Sequence, residues 1–522
     1  MIKPQINPAA AIHRWARIAG PDPAIIDENV TCTFAELSRR VRETAAALAV
    51  GGVRPGTRVA YLGLNSPLFL EVLLAAAHLG AVFVPVNSRI TPDEAAHLLS
   101  HSGCHTVVAE HGYRELVDDI ADAVPARRFL LDDRAGGFPE NRAGGRWVRL
   151  GGHAAHAAAP ARVGADDVAM LMYTSGTTGR PKGVTLTHGN LWWNQANVRA
   201  AVDIPPRAPT LAVAPLFHIG GLNAFTLGTL ACGGTVVVRR SFDPQRCLRD
   251  VARYRIASTF MVPVMFAALL RSAEFSRTDL SSLRAAVVAG APVPPALVSE
   301  YAERGTALQQ AWGLTETAPF ATYLPPGQVR AHPDSAGYAM PYSEVRVASP
   351  DTGLPADDPD VHGELCVRGP NVTPGYWNDP AATAAAIDAD GWFHTGDLGY
   401  LDDEGRCYVA DRLKDLIISG GENISPAEVE RVLAEFPGLR DVAVVGVPDP
   451  RWGQTPVAVL CHSGGRPPTL EAVRAFAGDR LARFKLPTRV LHLEALPRNA
   501  SGKIDRAAVR SLATGASRPG GQ

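Results

Sequence analysis

The feature that most constrains this chain is an alternation of helical stretches with short β-branched runs. Helical periodicity ends over 46–50, and Val59-Ala-Tyr-Leu62 then reads as a strand. Residues 69–79 read as a helix and 81–86 as the strand after it. The pattern recurs at Thr235-Val-Val-Val238, Thr259-Phe-Met-Val262 and Ala285-Ala-Val-Val288. β-Branched residues suit a pleated, buried surface, whereas a 3.6-residue period marks a helix. Their alternation predicts an α/β fold, with parallel strands and helices on the sheet faces. At 522 residues the chain is too long for one core and calls for two or more domains.

The texture changes near Gly363-Glu-Leu-Cys-Val-Arg368 and Gly405-Arg-Cys-Tyr-Val-Ala410, where strands shorten and turns crowd, so a β-rich subdomain is expected. After Arg412 the chain reads as an α+β unit of about a hundred residues, a usual domain size. Its first helix is marked by Ser425-Pro-Ala-Glu428, a capping box with Pro at the first helical position. Val429, Val432, Leu433 and Phe436 supply its apolar stripe. Strands are expected at 442–447 and 457–460.

Lys+Arg 51 against Asp+Glu 52 leaves a net charge of -1, with no general field for nucleic acid or anionic lipid. The seven cysteines (Cys32, Cys104, Cys232, Cys247, Cys366, Cys407, Cys461) are scattered and form no CxxC pair, which suggests neither a zinc site nor a disulfide framework. The most apolar run, 69–86, contains Glu71, His78, Gly80 and Pro85 and reads as a buried helix and strand, not a transmembrane segment. The N-terminus has no basic-then-apolar signal pattern, so a cytoplasmic protein is expected.

Val168-Ala-Met-Leu-Met-Tyr173 reads as a buried strand that runs into Thr174-Ser-Gly-Thr-Thr-Gly-Arg-Pro-Lys182-Gly-Val184. Glycines let a backbone present N–H groups to anionic oxygens, the hydroxyls of Thr174, Ser175, Thr177 and Thr178 add donors, and Lys182 adds a cation. Together they suit a polyphosphate. The P-loop spacing G-x-x-x-x-G-K-[ST] is not met, because Gly179 is followed by Arg-Pro-Lys-Gly. A plain surface turn is the bland alternative, and twelve specific residues weigh against it.

The segment 173–184 resembles the phosphate-loop signature of the adenylate-forming superfamily. Thr33-Phe-Ala-Glu-Leu37 and Leu79-Gly-Ala-Val-Phe-Val-Pro85 resemble its early motifs, and Pro497-Arg-Asn-Ala-Ser-Gly-Lys503 its last, so the resemblance spans nearly the whole chain. Asp411-Arg-Leu-Lys-Asp-Leu-Ile-Ile-Ser-Gly-Gly-Glu-Asn423 is similar in texture to short bacterial fatty acyl-CoA synthetases. The resemblance implies an N-terminal adenylation domain over 1–411, made of parallel-sheet α/β layers plus the β-rich subdomain. A small mobile α+β domain over 412–522 would follow.

It also implies roles. Thr174, Ser175, Gly176, Thr177, Thr178 and Lys182 would bind the phosphates of ATP. Gly290, Ala291 and Pro292 would form the adenine-edge turn, and Gln310, Ala311, Trp312 and Gly313 the strand beneath it. Trp312 stands where the family usually has Tyr. Thr315 would donate to the α-phosphate; Glu316, with Thr174, would bind Mg²⁺. Asp397 and Arg412 would hold the ribose. Lys503 would neutralise charge during adenylation. Lys414 would be the hinge, and Gly420 and Gly421 would enter the site for the thioester step. Asp411 stands where many relatives have Gly.

The resemblance implies an acid–thiol ligase: ATP and a carboxylic acid give an acyl-adenylate and pyrophosphate, and a thiol then takes the acyl group. Coenzyme A is the expected acceptor, with the phosphopantetheine of an acyl carrier protein as the alternative. In Pro215-Leu-Phe-His218-Ile-Gly-Gly221, His218 stands where amino-acid-activating relatives commonly place Asp, which disfavours amino acids. His218 reads either as a pocket gate or as a packed core histidine. Gly220, Gly221, Ala224, Ala289, Ala311, Ala318 and Phe320 suggest an apolar lining. Medium or long fatty acids are the first expectation and aryl acids the second. A luciferase-like oxidase would share these motifs. A catalytically dead binding protein would be expected to lack one of Thr315, Glu316, Asp397, Arg412 or Lys503.

Overall fold

The computed structural model describes the chain apart from residues 1–4, 29, 125, 127, 132–146, 151–158, 175–180, 350–354, 356–360, 421, 463, 465, 479, 499–502 and 516–522. By internal contact the chain divides into two compact units, Met1–Val345 with Val367–Phe393 and Arg346–Cys366 with His394–Gln522.

The first unit contains two sheets. The seven-stranded sheet runs Trp147–Arg149, Arg128–Leu131, Thr106–Ala109, Arg58–Leu62, Val82–Val86, Val168–Thr174, Lys182–Thr187. Its pairings are parallel until the last, which is antiparallel. The nine-stranded sheet runs Tyr338–Ala339, Phe320–Tyr323, Leu308–Gly313, Ala285–Val288, Ser258–Met261, Thr210–Ala212, Val236–Val238, Pro23–Asp27, Val30–Thr33. It is parallel through its middle and antiparallel at both ends. The strands expected near 59–62, 81–86, 235–238, 259–262 and 285–288 all form, as does the α/β class.

One core joins Ile25, Ala212, Val236 and Val238 of the larger sheet to Val59, Tyr61 and Phe83 of the smaller, through the helices Phe34–Val50 and Pro67–Leu79. The second helix is buried from Leu68 to His78. A helix enclosed on all sides needs no polar face, which is why its sequence lacks one. Its two polar groups are partnered. Glu71 pairs with Arg40 at 3.3 Å, and His78 Nδ1 lies 3.0 Å from His13 Nε2. Phe69, 1% exposed, packs edge-on against Tyr61 and Phe83; removing such a ring costs about 3–5 kcal/mol. Thr33 caps the first helix through a full capping box with Glu36.

In the second unit a five-stranded sheet has Glu422–Ile424, Ile417–Ser419, Gly453–His462 and Leu439–Asp449 in that order, with Arg489–His492 paired to Gly453–His462. Strand periodicity divides the residues: Val442 and Val444 join one core, while Ala443, Val445 and Val447 join the other. Helices Pro426–Ala434 and Leu470–Gly478 cover the first face and Arg506–Thr514 the second. A four-stranded sheet (Glu344–Ala348, Gly363–Arg368, Phe393–Leu401, Cys407–Arg412) lies mostly in this unit.

The helix at Pro426 starts as expected, with Ser425 accepting from Glu428 N–H. The reciprocal arm of the box does not form: the Glu428 carboxylate takes Lys485 Nζ at 2.7 Å instead. Asp411 supplies a second cap. Its Oδ2 accepts from Ser425 Oγ at 2.7 Å and from Ala427 N–H at 2.9 Å. This gives the carboxylate at 411 a structural purpose at a helix N-terminus.

Candidate active site

Loops at the carboxyl ends of neighbouring parallel strands enclose the usual ligand crevice of an α/β sheet. In the first unit, Thr210–Ala212, Ser258–Met261, Ala285–Val288 and Leu308–Gly313 are successive parallel neighbours. The segments just beyond three of them are those singled out in the sequence: Pro215 to Gly221, Ala289 to Pro292, and Leu314 to Glu316. The sheet thus gathers at one end motifs that lie about a hundred residues apart. Gly290 turns at φ +85°, in the region that favours glycine, and Gly290, Ala291 and Pro292 are exposed. Gly221 has no room for a side chain: a Cβ would lie 2.3 Å from Pro215 O.

Gln310, Ala311 and Trp312 are buried in their strand, and Gln310 Nε2 donates to Pro333 O at 2.7 Å. A Cβ at Gly313 would lie 1.9 Å from Pro319 O. The chain then enters a single 3-10 turn, Thr315–Thr317, with Glu316 buried in it. Three buried asparagines, absent from the sequence-based set, hold this turn. Asn371 Nδ2 donates to Thr317 O (2.8 Å) and Phe320 O (3.1 Å), Asn223 Nδ2 to Ala318 O (2.7 Å), and Phe320 N–H donates to Asn194 Oδ1 (3.2 Å). Buried amides must be satisfied, so these bonds fix the turn's geometry.

Thr174 and Lys182 face each other across the last antiparallel rung before the phosphate loop. The loop therefore joins two strands and does not lead into a helix, a different construction from a P-loop. Ser175, Gly176, Thr177 and Thr178 lie outside the described residues. Lys182 Nζ sits 5.2 Å from the centroid of the Tyr376 ring. The Tyr376 hydroxyl donates to Glu316 Oε1 at 2.9 Å. Burial first, and then the Glu316 charge, pushes that phenol well above its usual range, so it keeps its proton and remains a donor. Tyr376 thus connects the lysine of the phosphate loop with the carboxylate expected at the metal. It was not among the residues chosen from sequence; the only available signal was an aromatic pair following Gly375 in a turn-rich segment. The segment is fastened along the hairpin, with Trp377 N–H donating to Gly183 O and Thr185 N–H to Gly375 O.

Glu316 and Thr174 both offer oxygen, the donor type a hard cation such as Mg²⁺ requires. The turn carrying Glu316 packs against the strand that begins at Lys182.

In the second unit, Asp397 and Arg412 are opposite partners on antiparallel strands, and Arg412 Nε lies 2.8 Å from Asp397 Oδ1. Asp397 is 4% exposed. Lys414 sits in the short turn Leu413–Asp415. Gly420, at φ +61°, joins the strands Ile417–Ser419 and Glu422–Ile424 and donates its N–H to Trp452 O at 2.8 Å. Gly421 lies outside the described residues. Lys503 is exposed.

Of the residues expected to line an acyl pocket, Ala224, Ala289, Ala311 and Phe320 share one cluster, which also holds Phe225 and Phe260. The Phe225 and Phe260 rings lie 6.4 and 6.3 Å from that of Phe320. Ala318 packs elsewhere, in the larger core. At Gly220 a Cβ would lie 2.6 Å from the Phe260 ring. His218 is half-buried beside Phe217, with ring centroids 4.5 Å apart.

This fold and these motifs agree with the comparisons. The family model described as AMP-binding enzyme matches residues 12–377, and that described as AMP-binding enzyme C-terminal domain matches 428–503. The chain belongs to the AMP-binding, adenylate-forming family of enzymes. Its class is that of the AMP-forming acid–thiol ligases. It is 43% identical to a feruloyl-CoA synthase of an Amycolatopsis species, over 95% of this chain and 97% of that one. It is 39% identical to an indoleacetate–CoA ligase of Aromatoleum aromaticum, over 92% and 93%. Among solved structures, the o-succinylbenzoate CoA synthetase of Bacillus subtilis in complex with its acyl-adenylate intermediate superposes with a TM-score of 0.87 at 32% identity, covering 100% of both chains. Among the described residues no helix is long and apolar enough to cross a membrane.

Proposed function

We propose that this enzyme activates an aromatic carboxylic acid with ATP and transfers the acyl group to coenzyme A. Small apolar residues alone suggested a fatty chain. The observation that carries the aryl reading is the grouping of Phe225, Phe260 and Phe320 with Ala289 and Ala311 beside the carboxyl ends of the strands. Aromatic rings pack favourably edge-on or offset against another ring. The feruloyl and indoleacetate relatives point the same way.

In this reading a carboxylate oxygen attacks the α-phosphorus, a P–O bond forms, and pyrophosphate leaves. The thiol of coenzyme A then attacks the acyl carbon and loses its proton, and AMP leaves as the C–O bond breaks. Both first reactants are anionic, so the barrier is electrostatic and aimed donors and cations lower it most. Lys182, Thr174 and the loop residues Ser175 to Thr178 hold phosphates, and Thr315 donates to the α-phosphate. Glu316 and Thr174 would hold Mg²⁺, which would supply charge neutralisation at the phosphates. Asp397 accepts from the ribose hydroxyls, with Arg412 fixing its carboxylate. Lys503 serves adenylation, Lys414 is the hinge of a mobile region from 412 onward, and the Gly420–Gly421 loop serves thioester formation. His218 stands at the acyl end.

The test is a panel of hydroxycinnamic, arylacetic, medium-chain and long-chain acids, read by pyrophosphate release and by mass of the coenzyme A thioester. Aryl acids are expected to exceed palmitate in kcat/KM by at least about tenfold, or ~1.4 kcal/mol. Equal or better turnover of the fatty acids would refute the aryl assignment.

A further inference from the structure

We propose that Glu364, Cys366 and His394 form a binding site for a thiophilic divalent cation, zinc being the best fit. Residues 364 and 366 are two apart on the strand Gly363–Arg368, so their side chains share a face. His394 lies on the neighbouring strand Phe393–Leu401. One ligand atom from each, a carboxylate oxygen, the thiol sulfur and a ring nitrogen, converges within 4.8 Å.

The spacing is that of a coordination sphere nearly formed. His394 Nδ1 lies 3.5 Å from Cys366 Sγ and 2.7 Å from Glu364 Oε2. Zinc bonds of about 2.3 Å to sulfur and about 2.0–2.1 Å to nitrogen, at a tetrahedral angle, put those two atoms about 3.6 Å apart. The sulfur–nitrogen edge is therefore already at its bound length, while the nitrogen–oxygen edge must open by about 0.6 Å. One thiol, one imidazole and one carboxylate make a borderline-soft set, which selects zinc over Mg²⁺. This ion is accordingly different from the one expected at Glu316.

Access and support are also present. Cys366 is fully buried, but the His394 and Glu364 side chains keep 24% and 17% exposure, so the site opens on their side. The second carboxylate oxygen is engaged: Glu364 Oε1 accepts the Gly396 N–H at 2.8 Å. Thr395 Oγ1 donates to Leu365 O at 2.6 Å. These bonds leave Oε2 aimed at His394 and join the site to the strand that carries Asp397 one residue further on. Binding requires Nδ1 to present its lone pair, with any ring proton on Nε2. The thiol also releases its proton and binds as thiolate, so affinity rises with pH.

Cobalt(II) and zinc titrations of the nucleotide-free, full-length protein test this. One equivalent of cobalt should give a near-ultraviolet thiolate-to-cobalt charge-transfer band, and zinc should displace it. Cys366→Ser and His394→Gln should each remove the band and weaken zinc binding by more than about 100-fold, the upper end for loss of a mere outer-shell partner. Zinc in excess should raise the thermal midpoint of the wild type but of neither variant. Because the two variants lie on separate strands, a folding defect in one leaves the other decisive. Cys461→Ser, a thiol in a different core, should leave the band unchanged. A wild type without a stoichiometric band, or a band that survives Cys366→Ser, would overturn the site.

Discussion

Arg412 Nε lies 2.8 Å from Asp397 Oδ1, and the two residues are direct cross-strand partners. The carboxylate proposed to receive the ribose is therefore held in place by a neighbour 15 positions away in sequence. Arg412 is an orienting group whose planar fork lysine cannot copy. Arg412→Lys should raise KM for ATP by roughly tenfold, ~1.4 kcal/mol, with a smaller effect on kcat. Asp397→Asn should cost more, since an amide both donates and accepts. Initial-rate kinetics at varied ATP would show it, and an unchanged KM in both variants would remove them from the ribose site.

Tyr376→Phe deletes one hydroxyl and leaves the ring beside Lys182. Glu316 then loses the 2.9 Å bond that aims it. We expect a folded enzyme whose adenylation falls roughly tenfold and which needs more Mg²⁺ for half-maximal rate. Glu316→Gln should lose about 100-fold or more. A Tyr376→Phe enzyme with wild-type Mg²⁺ dependence would show that the bond positions nothing.

Lys503→Ala and Lys414→Pro separate the two half-reactions. The first should abolish acid-dependent ATP–pyrophosphate exchange yet still consume preformed acyl-adenylate. The second restricts φ at the proposed hinge, and should spare exchange while blocking thioester formation. If each variant lost both activities equally, the division of labour between adenylation and transfer would be wrong.

Gly220 bears on the acyl end. An added methyl would sit 2.6 Å from the Phe260 ring, so Gly220→Ala must displace that ring or stop short of its place. KM for an aryl acid should rise at least about tenfold, or ~1.4 kcal/mol, and Phe260→Leu in the same chain should restore part of it. No rescue by the second substitution would uncouple Gly220 from the ring.

Two buried histidines set an acid limit on stability. Burial above all pushes His13 and His188 down to about 4, from the ordinary imidazole value of 6.5. Each binds its proton more readily unfolded, so its contribution is complete above about pH 6.5 and is lost as pH falls toward 4. Between those values each can remove up to about 1.4 kcal/mol per pH unit. His13→Gln should flatten the decline in urea-unfolding free energy between pH 6.5 and 4.5. A slope identical to the wild type would show that His13 does not titrate on unfolding.

The sequence was most readable where one residue's environment depends on its near neighbours. Strands buried on both faces are short apolar runs rich in valine, and Ser425 ahead of Pro426 marks a helix start that forms. It was unreadable where a side chain serves something remote. Nothing around Asn371 says that it fastens a turn 54 residues earlier. Glu428 has the right spacing for a capping box, but Lys485, 57 residues away, takes its carboxylate. Tyr376 escaped notice because its value lies in touching Glu316, 60 positions upstream. At the acyl end, small residues could be counted from sequence, but the meeting of Phe225, Phe260 and Phe320 could not.

The Thr174–Lys182 rung makes the direction of the lysine a matter of parity. A strand presents alternate residues to opposite faces, so sliding Lys182–Thr187 by one position against Val168–Thr174 would swing the ammonium to the far side of the sheet. Inserting or deleting residues within the loop itself alters reach but not side. The phosphate loop is therefore an interchangeable part on a fixed mount. Loops of different length, odd or even, should be graftable between these two anchors, whereas one residue added inside either strand should silence the enzyme.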